Sequence, residues 1–98
     1  MTFQIDKQQD VYHLLFAGRL DTSSAQSITQ QVQELSSELK DKAIVIDFSQ
    51  LEYISSSGIR LLLLIRKASN TQVTLQGVHP EILQILKVTK LDTMFNIK

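Results

Sequence analysis

Between Ala43 and Phe48 the chain reads AIVIDF, β-branched and apolar side chains interrupted by one carboxylate. A strand with one wet face alternates apolar and polar residues, and this run is too uniform for that. Its expected place is the interior of a sheet. The segments on either side have a different period. In LDTSSAQSITQQVQELSSELK, the residues Ala25, Ile28, Val32, Leu35 and Leu39 recur at intervals of three and four, which predicts a helix over Ser24–Leu39. Asp21, Thr22 and Ser23 are candidate caps, and Lys40 lies where cations are favoured. From Ser57 to Lys67 a second helix of leucines and isoleucines is expected, with Arg60, Arg66 and Lys67 as its polar members. Strands joined by helices pair in parallel through right-handed crossovers.

The remaining segments fit around that unit. Phe3 and Ile5 alternate with Gln4 and Asp6 as in a strand, and VYHLLFA reads as a covered second strand, with a hairpin through Gln8 to Asp10. VTLQG alternates as a strand. HPEILQILKVTK opens with Pro80, where proline suits a first helical turn, and Phe95 and Ile97 suggest a short terminal strand. The order β-β-α-β-α-β-α-β predicts an α/β fold: a mixed sheet of four to five strands packed against helices, mainly in one layer. With 98 residues, short linkers and no internal repeat, one domain over 1–98 is expected.

Composition removes several classes of function. Ten Lys and Arg balance ten Asp and Glu, so no net charge points to direct nucleic-acid contact or to an acidic membrane surface. There is no cysteine, which excludes disulfides, thiolate chemistry and cysteine-based zinc sites. The opening MTFQIDKQQD is not a signal peptide, and LLLLI is far short of the ~20 residues that span a bilayer. A soluble, cytoplasmic protein with no integral membrane segment is the expectation.

The stretch LEYISSSGIRLLLL places three hydroxyls and a glycine between a strand and a helix. As a hydrolytic site it lacks support. The candidate bases are His13, within a strand, and His79, beside Pro80, and no G-x-S-x-G elbow is present. Two histidines and scattered aspartates give little support for a metal centre. ISSSG matches neither G-x-G-x-x-G nor G-x-x-x-x-G-K-[ST], so no nucleotide cofactor is expected. The structural reading is that Ser55, Ser56 or Ser57 caps the helix while Gly58 permits close packing. The functional reading is a non-catalytic switch: a phosphate there adds about −1.5 to −2 charge, favoured by the helix dipole and disruptive to a partner surface built for a neutral one.

IVIDFSQLEYISSSGIRLLLLI resembles the central signature of the STAS domain, specifically of bacterial anti-sigma factor antagonists, and GRLDTSSA and VTLQGVHPEILQILKVTKLDTMFNI follow the family's order. The resemblance implies a protein-binding module without catalysis. Unphosphorylated, such an antagonist captures an anti-sigma factor and releases a sigma factor; the anti-sigma partner, often a serine/threonine kinase, ends the association by phosphorylating it. The family's phosphoacceptor immediately precedes the motif glycine, which here is Gly58, and so falls on Ser57, with Ser56 the second choice. Asp47 matches the aspartate near the end of the central strand. Many members have Asp-Ser-Ser-Gly where this chain has Ser55-Ser56-Ser57-Gly58. The expected partner face comprises Asp21, Tyr53, Ser55, Ser56, Ser57, Gly58, Arg60 and Leu64, the last lying between Arg60 and Lys67 on one helix face. A second resemblance, carried by VTLQGV and the compact length, is to STAS subunits that bind the ATPase of bacterial ABC-type lipid transporters.

Overall fold

The computed structural model describes residues 1–70 and 72–98. Its centre is β3 (Ala43–Ile54), third in a five-stranded sheet of order β1-β2-β3-β4-β5. β1 (Thr2–Lys7) and β2 (Val11–Leu20) form the antiparallel hairpin, closed by Gln8 N–H donating to Val11 O at 3.1 Å. β2, β3, β4 (Val73–Gln76) and β5 (Asn96–Ile97) are mutually parallel. Each parallel crossover steps one strand in the same direction, so right-handed connections place the helices on one face. Tyr12, Leu14 and Phe16 of β2, Ile44, Ile46 and Phe48 of β3, and Val73 and Leu75 of β4 are buried on that face. Their outward alternates, among them His13, Leu15, Val45 and Thr74, are only half-buried.

The helices bury the faces that their periods specify. α1 (Thr22–Glu34) buries Ala25, Ile28 and Val32. The expected single helix to Leu39 is instead two. At Leu35 the φ and ψ angles are −95° and 3°, its N–H is shared between Gln31 O and Val32 O, and a short α2 (Ser36–Leu39) follows. Ser36 and Ser37 are poor helix propagators, and the break still leaves Leu39 buried. α3 runs over Ser56–Ser69, longer than expected at both ends, and stops at Asn70 in the left-handed region with φ 55°. α4 (Pro80–Val88) buries Ile82 and Leu86 and leads through a 3-10 turn (Leu91–Thr93) into β5. Phe16 meets Phe48 edge-on at 5.6 Å between ring centroids and Phe3 at 4.9 Å, which joins the hairpin to the central strand.

β3 carries two irregularities against β2. Leu15 pairs with Asp47 but Ala17 with Gln50; Gly18 pairs with Leu51 but Arg19 with Tyr53. Each shift inserts one extra residue in β3, so its buried positions become Phe48, Leu51 and Ile54, three apart rather than two. The first bulge is fixed from three sides. Asp47 Oδ1 accepts the Ser49 N–H at 2.8 Å, His79 Nε2 lies 2.8 Å from Ser49 O, and Gly77, at φ +69°, passes so close that a Cβ would sit 2.9 Å from Ser49 N. Gly77→Ala is therefore expected to destabilise the fold by more than about 1 kcal/mol, through the strained φ and the backbone contact together. A urea midpoint equal to that of the native sequence would show that this approach is not tight.

Candidate functional site

The C-terminal ends of β2 and β3 lie side by side, and a helix starts from each. Leu20 pairs with Ile54, and Ser55 N–H donates to Leu20 O at 2.9 Å. On the β2 side Asp21 caps α1: its Oδ1 accepts the Ser24 N–H at 2.9 Å, while its own N–H donates to Ser24 Oγ at 3.0 Å. This reciprocal pair satisfies donors at the start of the helix. Those bonds, the Ser24 N–H first and then the Ser24 hydroxyl, hold the Asp21 carboxyl below its usual pKa, with a smaller contribution from the Arg19 charge.

The three serines take three different positions. Ser55 is the N-cap of α3, is buried, and accepts the Gly58 N–H on its Oγ at 3.1 Å. Ser56 begins the helix and is exposed, and Ser57 follows, half-buried. Gly58 is buried where an added Cβ would lie 2.8 Å from Ile54 Cγ1 and 2.9 Å from Leu20 Cδ2, so its missing side chain lets α3 descend onto the two strand ends. The first turn is thereby anchored at Ser55 and Gly58, and its hydroxyls at Ser56 and Ser57 face outward to differing degrees.

Tyr53 sits at the second bulge and is 39% exposed, with the Arg19 guanidinium 4.3 Å from its ring centroid. Such a pair contributes roughly 0.5–1 kcal/mol at an exposed site, and Tyr and Arg recur among residues that dominate binding energies. Arg19 was not among the residues singled out by sequence. Its signal was present in GRLDTSSA, but only the register shift that pairs Arg19 with Tyr53 brings the two together. Arg60 is exposed one turn along α3, whereas Leu64 is half-buried and packs against the core. Asp47 is removed from the serine edge and acts on the first bulge. Around the starts of α1 and α3, Asp21, Tyr53, Ser56 and Arg60 are exposed and Ser57 is half-buried, while Ser55 and Gly58 pack beneath the first turn of α3.

The chemistry of this edge is that of a surface. His13 is on β2 and His79 is engaged at Ser49, so neither is joined to a serine as a base. Among the described residues, no group of three or more His, Cys, Asp or Glu is placed to hold a metal ion.

The chain belongs to the STAS domain family, whose model matches residues 2–98. STAS domains are non-catalytic regulatory modules. A STAS-domain containing protein of Pseudomonas aeruginosa is 26% identical over 83 residues, covering 82% of this chain and 80% of that protein. The fold is that of the anti-sigma factor antagonists. An anti-sigma-factor antagonist (STAS) domain protein from Planctomyces limnophilus superposes with a TM-score of 0.84 at 20% identity, over 98% of this chain and 87% of its own. The Bacillus cell fate determinant SpoIIAA in its phosphorylated form gives a TM-score of 0.77 at 17% identity, over 99% of this chain and 91% of its own.

Two outcomes follow from the caps. Ser55→Ala should cost about 1 kcal/mol in a urea titration, while Ser55→Asp, which keeps an acceptor, should cost less. Because the folded-state pKa of Asp21 is depressed, its contribution is complete above the unfolded pKa and is lost as pH falls through the folded one. Asp21→Asn should therefore reduce the fall in stability across the acid carboxylate range, measured as urea midpoints from neutral to acid pH. An unchanged slope would remove Asp21 as a contributor.

Proposed function

We propose that this protein is a cytoplasmic anti-sigma factor antagonist. In this reading the unphosphorylated chain docks an anti-sigma factor through the serine edge and thereby releases a sigma factor. Phosphorylation of Ser57 by that partner, a serine/threonine kinase, ends the association. The observation that carries the proposal is the division of labour among the serines: Ser55 is buried and engaged as the cap, while Ser56 is exposed and Ser57 half-buried on the first turn of α3. Among the described residues no helix is long and apolar enough to cross a membrane.

Ser57 is the first choice as acceptor because it immediately precedes Gly58, and Ser56 is the second. On the free protein a phosphate at the second residue of α3 is favoured by the helix dipole, by roughly 0.3–1 kcal/mol. Inside a close interface the same group adds volume and charge that must be desolvated or paired. The switch acts on the complex and leaves the fold intact.

The test begins with affinity capture from the native cell extract. An anti-sigma kinase among the captured proteins supports the reading, and an ABC-type ATPase would replace it with the transporter role. With the kinase in hand, incubation with ATP and peptide mass spectrometry should place the phosphate on Ser57, and the modified protein should bind at least about tenfold more weakly, ~1.4 kcal/mol. Ser57→Ala should fold and resist modification. Phosphate on Ser56 would move the switch by one residue; equal affinity before and after modification would reject it.

A further inference from the structure

A concavity lies at the other end of α3. A groove of about 840 Å³ opens there between the last turns of the helix and the segment Thr93–Phe95. Arg66 stands nine residues beyond Ser57, about 14 Å along the helix axis, so this groove is separate from the serine edge. Its apolar part is formed by Leu63, half-buried, Phe95, buried, and Met94, which is 37% exposed. Its charged part is Arg66 and Lys67, both exposed. Arg66 Nε donates to Met94 O at 2.7 Å, which fixes the guanidinium against the groove while leaving its terminal amino groups available. Among the described residues the ion pair found is Lys7 with Glu38, and neither groove cation has such a partner.

Cations in a last helical turn complement the helix dipole, and that accounts for part of the charge. It does not account for an exposed methionine over a buried phenylalanine beside them. We propose that this groove is a second docking site, for an acidic peptide segment carrying one apolar side chain. The Leu63–Met94–Phe95 surface receives the apolar side chain, and thioether flexibility lets Met94 adapt to its shape. Arg66 and Lys67 meet carboxylates flanking it, the guanidinium through paired N–H donors. Asn70 and Gln72 on the rim supply amide groups for the segment's main chain. A small polyanion fits less well, since it brings nothing apolar to the Leu63–Met94–Phe95 surface and, among the described residues, two cations line the groove.

The test uses the full chain, 15N-labelled, and three probes: a blocked pentapeptide with a central leucine between acidic residues, the same peptide with alanine in place of leucine, and inorganic triphosphate. The leucine peptide should shift the amides of Leu63, Lys67, Met94 and Phe95 saturably, and should bind at least about threefold tighter than the alanine peptide, as even partial burial of its three extra carbons would give. Lys67→Glu should weaken it about tenfold and Lys67→Ala by less, with unshifted core resonances showing that both variants fold. Ser57→Asp should leave the binding unchanged, so this result is independent of the phosphoswitch. Equal affinity for the two peptides, tighter binding of triphosphate at the same amides, or wild-type affinity in Lys67→Glu would each overturn the proposal.

Discussion

The rest of the serine edge depends on the two extra residues that β3 carries against β2. A regular strand would have continued the alternation of Ile44, Ile46 and Phe48, and would have buried every second residue up to the helix. The bulges stretch that interval to three, so Leu51 and Ile54 still face the helices while Glu52 and Tyr53 emerge together on the surface. They also set the end of β3 level with that of β2. Leu20 then lies beneath Gly58, and Arg19 beside Tyr53. The bulge at Ser49 is held by three residues from two segments, Asp47 of β3 itself and Gly77 and His79 of the loop after β4. Motif aspartate and motif serines are thus linked through strand geometry rather than through contact.

That geometry explains which parts were legible in the sequence. AIVIDF is central because uniform apolar character survives any register, and the helical faces of α1, α3 and α4 follow from intervals of three and four. The strand did not visibly continue past Phe48, because SQLEYI has neither the period of a strand nor that of a helix; each bulge shifts the phase by one residue. The break at Leu35 was hidden for the opposite reason. Leu35 and Leu39 keep helical spacing through it, so the apolar pattern shows no interruption, and only the two serines hint that propagation is weak. Arg19 was invisible as a site residue because its partner is set by the bulged register.

Three adjacent hydroxyls carry no information about which is which until the cap is known. Ser55 occupies the position where many family members have aspartate, and it performs the capping that either residue type can perform. The substitution therefore preserves the start of α3 while removing a negative charge from directly beneath Ser56 and Ser57. An aspartate there would already draw on the helix N-terminus. With serine as the cap, the positive end of the dipole is less neutralised.

That difference bears on how a phosphate would be read. On a first turn anchored through the Ser55 cap and the packing of Gly58 against Leu20 and Ile54, added charge has little freedom to rearrange the backbone. The dipole's attraction, roughly 0.3–1 kcal/mol, is also too small to remodel a packed helix, while desolvating an unpaired phosphate within an interface costs several times more. In the proposed switch, charge added at Ser57 would therefore move the binding equilibrium and spare the folding equilibrium. A non-catalytic module suits that role because its surface can be altered by one covalent group while the bulged sheet beneath keeps Tyr53, Arg19 and Asp21 in register.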